Sequence, residues 1–260
     1  MNTQQFLLSA WTWNPAVLAS AAATLALYLI AFRARDRICW FALALVVFLL
    51  TLVSPVYALA DKYLFSAHML QHISLLLIVP GLMFVSLPRT VSLKWRPNFL
   101  SHPLTGWIAG VGAMWFWHYP TLCNAAVTSR PVYAVQTASL LLFGTLFWSQ
   151  VIAPREDERL SPPGAVLYLF SACVTCSALG IILTFSPVTV CPIYAMKGAD
   201  PFGIAGTIQS DWAMTPGRDQ QIGGLLMWVP MCLIYLAAIF AQIVRWFGEP
   251  VSVKTTSCQT

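Results

Sequence analysis

Seven stretches of this chain are apolar almost without interruption: 16–32, 38–54, 66–86, 103–119, 132–152, 163–186 and 223–246. Every Asp, Glu, Lys and Arg falls between these stretches or at the end of one. An α-helix needs about 20 apolar residues to cross a bilayer, so the first two stretches are a little short. Lipid offers no partner for backbone N–H and C=O groups, so solid apolar runs fold as helices. A barrel would instead show short segments alternating between apolar and polar residues. The pattern predicts an all-α integral membrane bundle of about seven transmembrane helices, a single polytopic membrane domain over 1–260. One connection is long, 187–222, between the sixth and seventh helices, and it carries Pro192, Pro201, Trp212 and Pro216. A loop of that length is usually functional or disordered. Its aromatic and apolar content predicts that it covers the end of the bundle.

Composition strengthens this reading. The chain is 58% hydrophobic and 9% charged, with a mean hydropathy of +0.73, against about 25% charged residues in soluble domains. The basic residues are asymmetric. Arg33, Arg35, Arg37, Arg89, Lys94, Arg96, Arg155, Arg159, Arg245 and Lys254 fall on one side of the predicted topology, and Lys62, Arg130, Lys197 and Arg218 on the other. Positive residues favour the cytoplasm, which predicts the N-terminus outside and the C-terminus cytoplasmic. The net charge of +5 is therefore a topology signal. No basic stripe exists, so nucleic acid is not an expected partner, whereas the lipid bilayer is. The opening residues, MNTQQFLLSAWTWNP, lack Lys and Arg, so the first helix reads as a retained span and not as a removable signal peptide. The charged segment 154–164, PREDERLSPPG, is expected only to set topology. Trp11, Trp13, Trp115, Trp117, Trp148 and Trp246 lie near span ends and form an interfacial belt.

Seven cysteines do not make a disulfide framework. Cys173, Cys176 and Cys232 lie inside spans, and Cys39 and Cys258 on the inner side. Cys123 and Cys191 fall outside, where pairing is open to them, although spacing alone does not establish it.

The chemistry concentrates at the outer face. His68 and His72 are four residues apart at the start of the third span and project from one helix face. Two imidazoles at that spacing can share a metal. His118 closes the fourth span before Pro120, which ends the helix. Asp219 sits in the first turn of the seventh span, where the helix dipole favours a carboxylate; an ordinary capping role is the alternative. Gln220 and Gln221 extend the polar rim, and Gly223 and Gly224 permit close helix approach. His102 falls on the opposite side and reads as a loop residue. Imidazoles, a carboxylate and thioethers suit a transition metal. Met69, Met114 and Met214 tilt the choice from zinc toward copper. An unmetallated polar cluster is the competing reading.

Several blocks also carry a family resemblance: HMLQHISLLLIVPGLMFVSLP (68–88), WHYP (117–120), GTLFW (144–148) and DQQIGGLLMWVP (219–230). In this order, from about residue 50 to 246, the chain resembles the multi-pass CtaG family of cytochrome c oxidase assembly factors. The resemblance implies a multi-pass protein of the bacterial inner (plasma) membrane that helps copper reach a haem–copper oxidase from the outer, periplasmic face. Its implied partners are an oxidase subunit and other copper-delivery proteins, and copper is held transiently. His68, His72, His118 and Asp219 match the family's polar positions. Many members carry a further H-x-x-x-H pair early in the fifth span, where this chain has Tyr133 and Thr137.

Two other functions compete. A haem-binding membrane redox protein would use His72 and His118 as axial ligands. A copper permease would use Cys173, Cys176 and Met227, since no Asp, Glu, Lys or Arg occupies the membrane core. Glycine-rich phosphate loops such as GxGxxG are absent from the sequence, and an enzyme is not expected.

Overall fold

The computed structural model describes residues 1–32, 37–94, 97–196 and 200–248. Arg33, Arg35, Arg96, Lys197, Lys254 and Cys258 lie outside the described residues, which are helical and contain no strand. Each of the seven predicted stretches is occupied by a helix. After a short helix α1 (Thr3–Ser9) come α2 (Pro15–Ala31), α3 (Ile38–Val53) and α4 (Pro55–Lys62). Next are α5 (Phe65–Ser86), α6 (Pro103–Trp117), α7 (Pro120–Thr128), α8 (Arg130–Ser149), α9 (Pro162–Phe185), α10 (Ala205–Ser210) and α11 (Pro216–Gly248). Among the described residues four helices, α5, α8, α9 and α11, are long and apolar enough to cross a membrane. A fifth is reached if α3 and α4 count as one span bent by 45°. Helix α2 is apolar but shorter, and the 15 residues of α6 rise only about 22 Å.

Local sequence explains the boundaries. Prolines at N1 start α2, α4, α6 and α7, where the missing N–H costs nothing. Asn14 accepts from Ala16 N at 2.9 Å, and Ser54 from Val56 N at 3.2 Å. The Ser54-Pro55 pair breaks the apolar run, so a new helix forms where the hydropathy pattern predicts a loop. His102 Nδ1 accepts from Leu104 N at 3.2 Å, so it caps α6. In α5, Ser74–Ile78 widens into a π-helix. Pro80 follows, lacks an N–H, and its ring clashes with the carbonyl four residues back; the wider turn relieves both. That carbonyl, on Leu76, meets Gly144 of α8, where an added Cβ would lie 2.1 Å from its oxygen.

Helices α9 and α11 pack along much of their length. A Cβ on Gly224 would lie 2.4 Å from Thr184 Oγ1, and one on Gly180 2.8 Å from Trp228 Cβ. On the other side of α11, a Cβ on Gly223 would lie 2.6 Å from Phe65 Cδ1. Small residues thus let α11 lie close to both α5 and α9, the approach expected of Gly223 and Gly224.

The long connection covers one end of the bundle, as its composition predicts. Ile204 and Ile208 are buried with Phe6, Ala10, Ala58, Ala60, Leu64 and Ala67. Trp212 Nε1 donates to Thr3 Oγ1 at 3.0 Å. Gln220 anchors the start of the loop, donating to Val188 O at 3.0 Å and accepting from Val190 N at 2.8 Å. Cys123 and Cys191 form a disulfide that ties α7 to the loop. At the opposite end, segment 154–164 does more than set topology. Glu158 accepts from Ser92 Oγ at 2.6 Å and from Leu93 N at 2.7 Å, while Arg159 Nε donates to Ala153 O at 2.5 Å.

Candidate functional site

His68, His72 and His118 meet beneath the covering loop. The first two lie one turn apart in the first half of α5, and His118 terminates α6. All three are sealed from the surface, at 1%, 1% and 5% exposure. The sequence pattern placed them at helix ends on the outer face, and the covering loop folds over that end. The rings form a chain. His68 and His72 centroids lie 4.6 Å apart, and those of His72 and His118 5.0 Å apart at 80°.

The nitrogens fall into two donor pairs. His68 Nε2 faces His72 Nε2 at 3.1 Å. His118 Nδ1 lies 2.5 Å from Met114 O, and its Nε2 lies 2.9 Å from Met69 Sδ. A carbonyl only accepts, so Nδ1 of His118 carries the proton. In a neutral ring Nε2 then presents a lone pair to the sulfur, which also presents lone pairs. The contact therefore sets two lone-pair atoms side by side. Among the described residues His72 Nδ1 is buried without a partner.

Asp219 has another task. Its carboxylate accepts from Phe65 N at 2.6 Å and Ser66 N at 3.0 Å. It therefore caps α5 from a neighbouring helix and sets the direction in which His68 and His72 project. Each of its two oxygens accepts one of these N–H groups. Met214 packs with the outer apolar cluster, apart from the rings. Among the described residues no three or more His, Cys, Asp or Glu converge as a metal site; the thioether of Met69 adjoins the imidazoles through His118.

A polar network borders the site. Gln71 Nε2 donates to Thr51 O at 2.9 Å, and Tyr133 Oη donates to Gln71 Oε1 at 3.3 Å. Tyr133 thus meets α5 beside His72. Among the described residues Gln136 Nε2, nearly one turn further along α8, is buried without a partner. Residue types alone hid two participants. Gln71 resembles any polar residue in a span, and Tyr194 reaches the site only through the loop fold, its ring 6.2 Å from that of His68.

The cysteine group considered for a permease lies elsewhere, between α9 and α11. Cys173 Sγ and Cys232 Sγ are 3.4 Å apart, Ser177 Oγ is 3.0 Å from Cys232 Sγ, and Cys176 Sγ is 3.9 Å from Tyr235 Oη.

A helical bundle with membrane-length apolar helices and a buried imidazole–thioether cluster under a covering loop defines a membrane protein with a polar site near one end. The chain belongs to the cytochrome c oxidase caa3 assembly factor family (Caa3_CtaG), whose profile matches residues 21–249. Curated relatives include uncharacterised proteins of Mycobacterium bovis and Mycobacterium tuberculosis, each 24% identical over 207 residues. A protein of Mycobacterium leprae is 23% identical over 206 residues. Each match covers 70% of this chain but 30% of the relative, so the chain spans less than a third of their length. No solved structure matches the chain.

Proposed function

We propose that this chain is a cytochrome c oxidase assembly factor that holds copper as transient cargo and passes it to the enzyme from the outer face of a bacterial inner membrane. The observation that carries the reading is the approach of His118 Nε2 to Met69 Sδ, 2.9 Å, with the other ring nitrogen already donating. An imidazole nitrogen and a thioether that converge side by side form a donor pair suited to the softness of Cu(I). His72 and His68 adjoin that pair and complete the ligand set. Asp219 acts as a positioning residue through the first turn of α5.

The same reading assigns seven spans, with α2, the α3–α4 pair, α5, α6, α8, α9 and α11 crossing in turn. The N-terminus is outside and the C-terminus cytoplasmic, following the basic residues. The disulfide between Cys123 and Cys191 supports this orientation, since disulfides persist outside the reducing cytoplasm. Partners are an oxidase subunit and the proteins that bring copper. A haem role fits the geometry poorly: His72 and His118 rings 5.0 Å apart leave no slot for a porphyrin between them.

The test is complementation in cells lacking the chain. His118→Ala should reach the membrane in normal amount yet fail to restore copper to the oxidase. Full restoration by His118→Ala would overturn the proposal.

A further inference from the structure

The histidines are sealed, yet a carrier must exchange its cargo. A cavity of about 270 Å³ opens on the same end of the bundle, lined in part by Lys62, Tyr63, Tyr194, Met196, Met214 and Asp219. Two of these residues also belong to the site's surroundings. Asp219 caps the helix that bears His68 and His72. Tyr194 stands against His68 and Phe65, with ring centroids 6.2 and 6.0 Å away. The Tyr194 ring therefore separates the cavity from the imidazoles.

We propose that this cavity is the loading port for a soft cation and that Tyr194 is the movable cover between the port and His68. The inference rests on the copper reading above and deepens it. Met196 and Met214 give the port thioethers, the side chains that suit Cu(I). Met196 is 66% exposed and stands at the mouth. The cover is hinged at its side chain. Its backbone turn, Pro192–Tyr194, follows the disulfide at Cys191, and Ile193 N donates to Asn124 Oδ1 at 3.1 Å. The ring's free end is held by one hydrogen bond, from Tyr194 Oη to Ala60 O at 2.5 Å. Rotation of the side chain breaks that bond and leaves the turn in place.

Carbethoxylation by diethyl pyrocarbonate, read by mass spectrometry on the full chain in lipid nanodiscs, measures access to each imidazole without any metal. His102 is exposed and serves as the internal standard. In wild type His68 should label far more slowly than His102. Tyr194→Ala should speed His68 labelling by on the order of tenfold, and speed removal of loaded Cu(I) by a water-soluble chelator, with His102 unchanged. Tyr194→Phe keeps the ring and loses one hydrogen bond, so His68 labelling should rise by about threefold; it carries the test if the alanine variant fails to fold. Unchanged His68 labelling in a folded variant would overturn the cover. Faster labelling in a protein that holds no copper would uphold the cover and defeat the copper reading instead.

Discussion

The bundle holds two groups of side chains of the kind that bind metals, and they are finished differently. At the covered end, His68, His72, His118 and Met69 face one another nitrogen to nitrogen and nitrogen to sulfur, and His72 Nδ1 has no partner. Between α9 and α11, Cys173, Cys176 and Cys232 are each matched to another thiol or hydroxyl. The first group sets two lone-pair atoms, His118 Nε2 and Met69 Sδ, side by side. The second is complete, a set of weak thiol contacts inside a helix interface whose closest points are glycines. Donor type therefore does not define a site here. The arrangement of the donors does, together with the structure around it: an Asp219 cap, a π-helix turn and a covering loop.

The largest expected effect on this contrast comes from the cap. Asp219→Ala leaves two buried N–H groups of α5 without an acceptor, at a cost of about 1–3 kcal/mol each. Thermal unfolding in detergent should show a clear fall in midpoint, and copper retention should weaken as α5 loses its start. Asp219→Asn keeps an acceptor oxygen and should lose less of both. An alanine variant as stable as wild type would show that α5 stands without the cap, and would break the distinction between the two clusters' supports.

A smaller effect separates the sulfurs. Met69→Leu keeps the volume and removes the thioether, so Cu(I) retention should fall on the order of tenfold with little change in stability. Cys232→Ala removes a thiol that is already matched, and Cu(I) retention should stay within about twofold of wild type. A reversed order, with Cys232 the more costly loss, would favour the permease reading and move the site to the α9–α11 interface.

Much of this architecture was legible in the chain. Apolar runs bounded by charge located the helices, because lipid and core both demand the same continuous hydrophobicity. The i, i+4 spacing of His68 and His72 placed them on one face, and Pro120 put His118 at a helix end. What escaped the sequence was set by contacts between distant segments. The burial of the histidines depends on the 187–222 loop, and Tyr194 belongs to the site only because the loop folds back to Ala60. Asp219 was legible as a capping residue but not as the cap of another helix, since helical periodicity describes one helix at a time. The π-helix before Pro80 was hidden for a related reason: Pro80 announces a lost hydrogen bond, while the widened turn that absorbs it depends on Gly144 across the interface.

The most direct test of the central claim is the copper content of the detergent-purified protein after Cu(I) loading and desalting, wild type beside His68→Ala/His72→Ala. The account predicts that wild type retains copper and that the double variant, inserted in the membrane to the same level, loses it. Equal retention by both proteins, or none by either while oxidase assembly still depends on the chain, would contradict it and leave the histidines a structural or docking role.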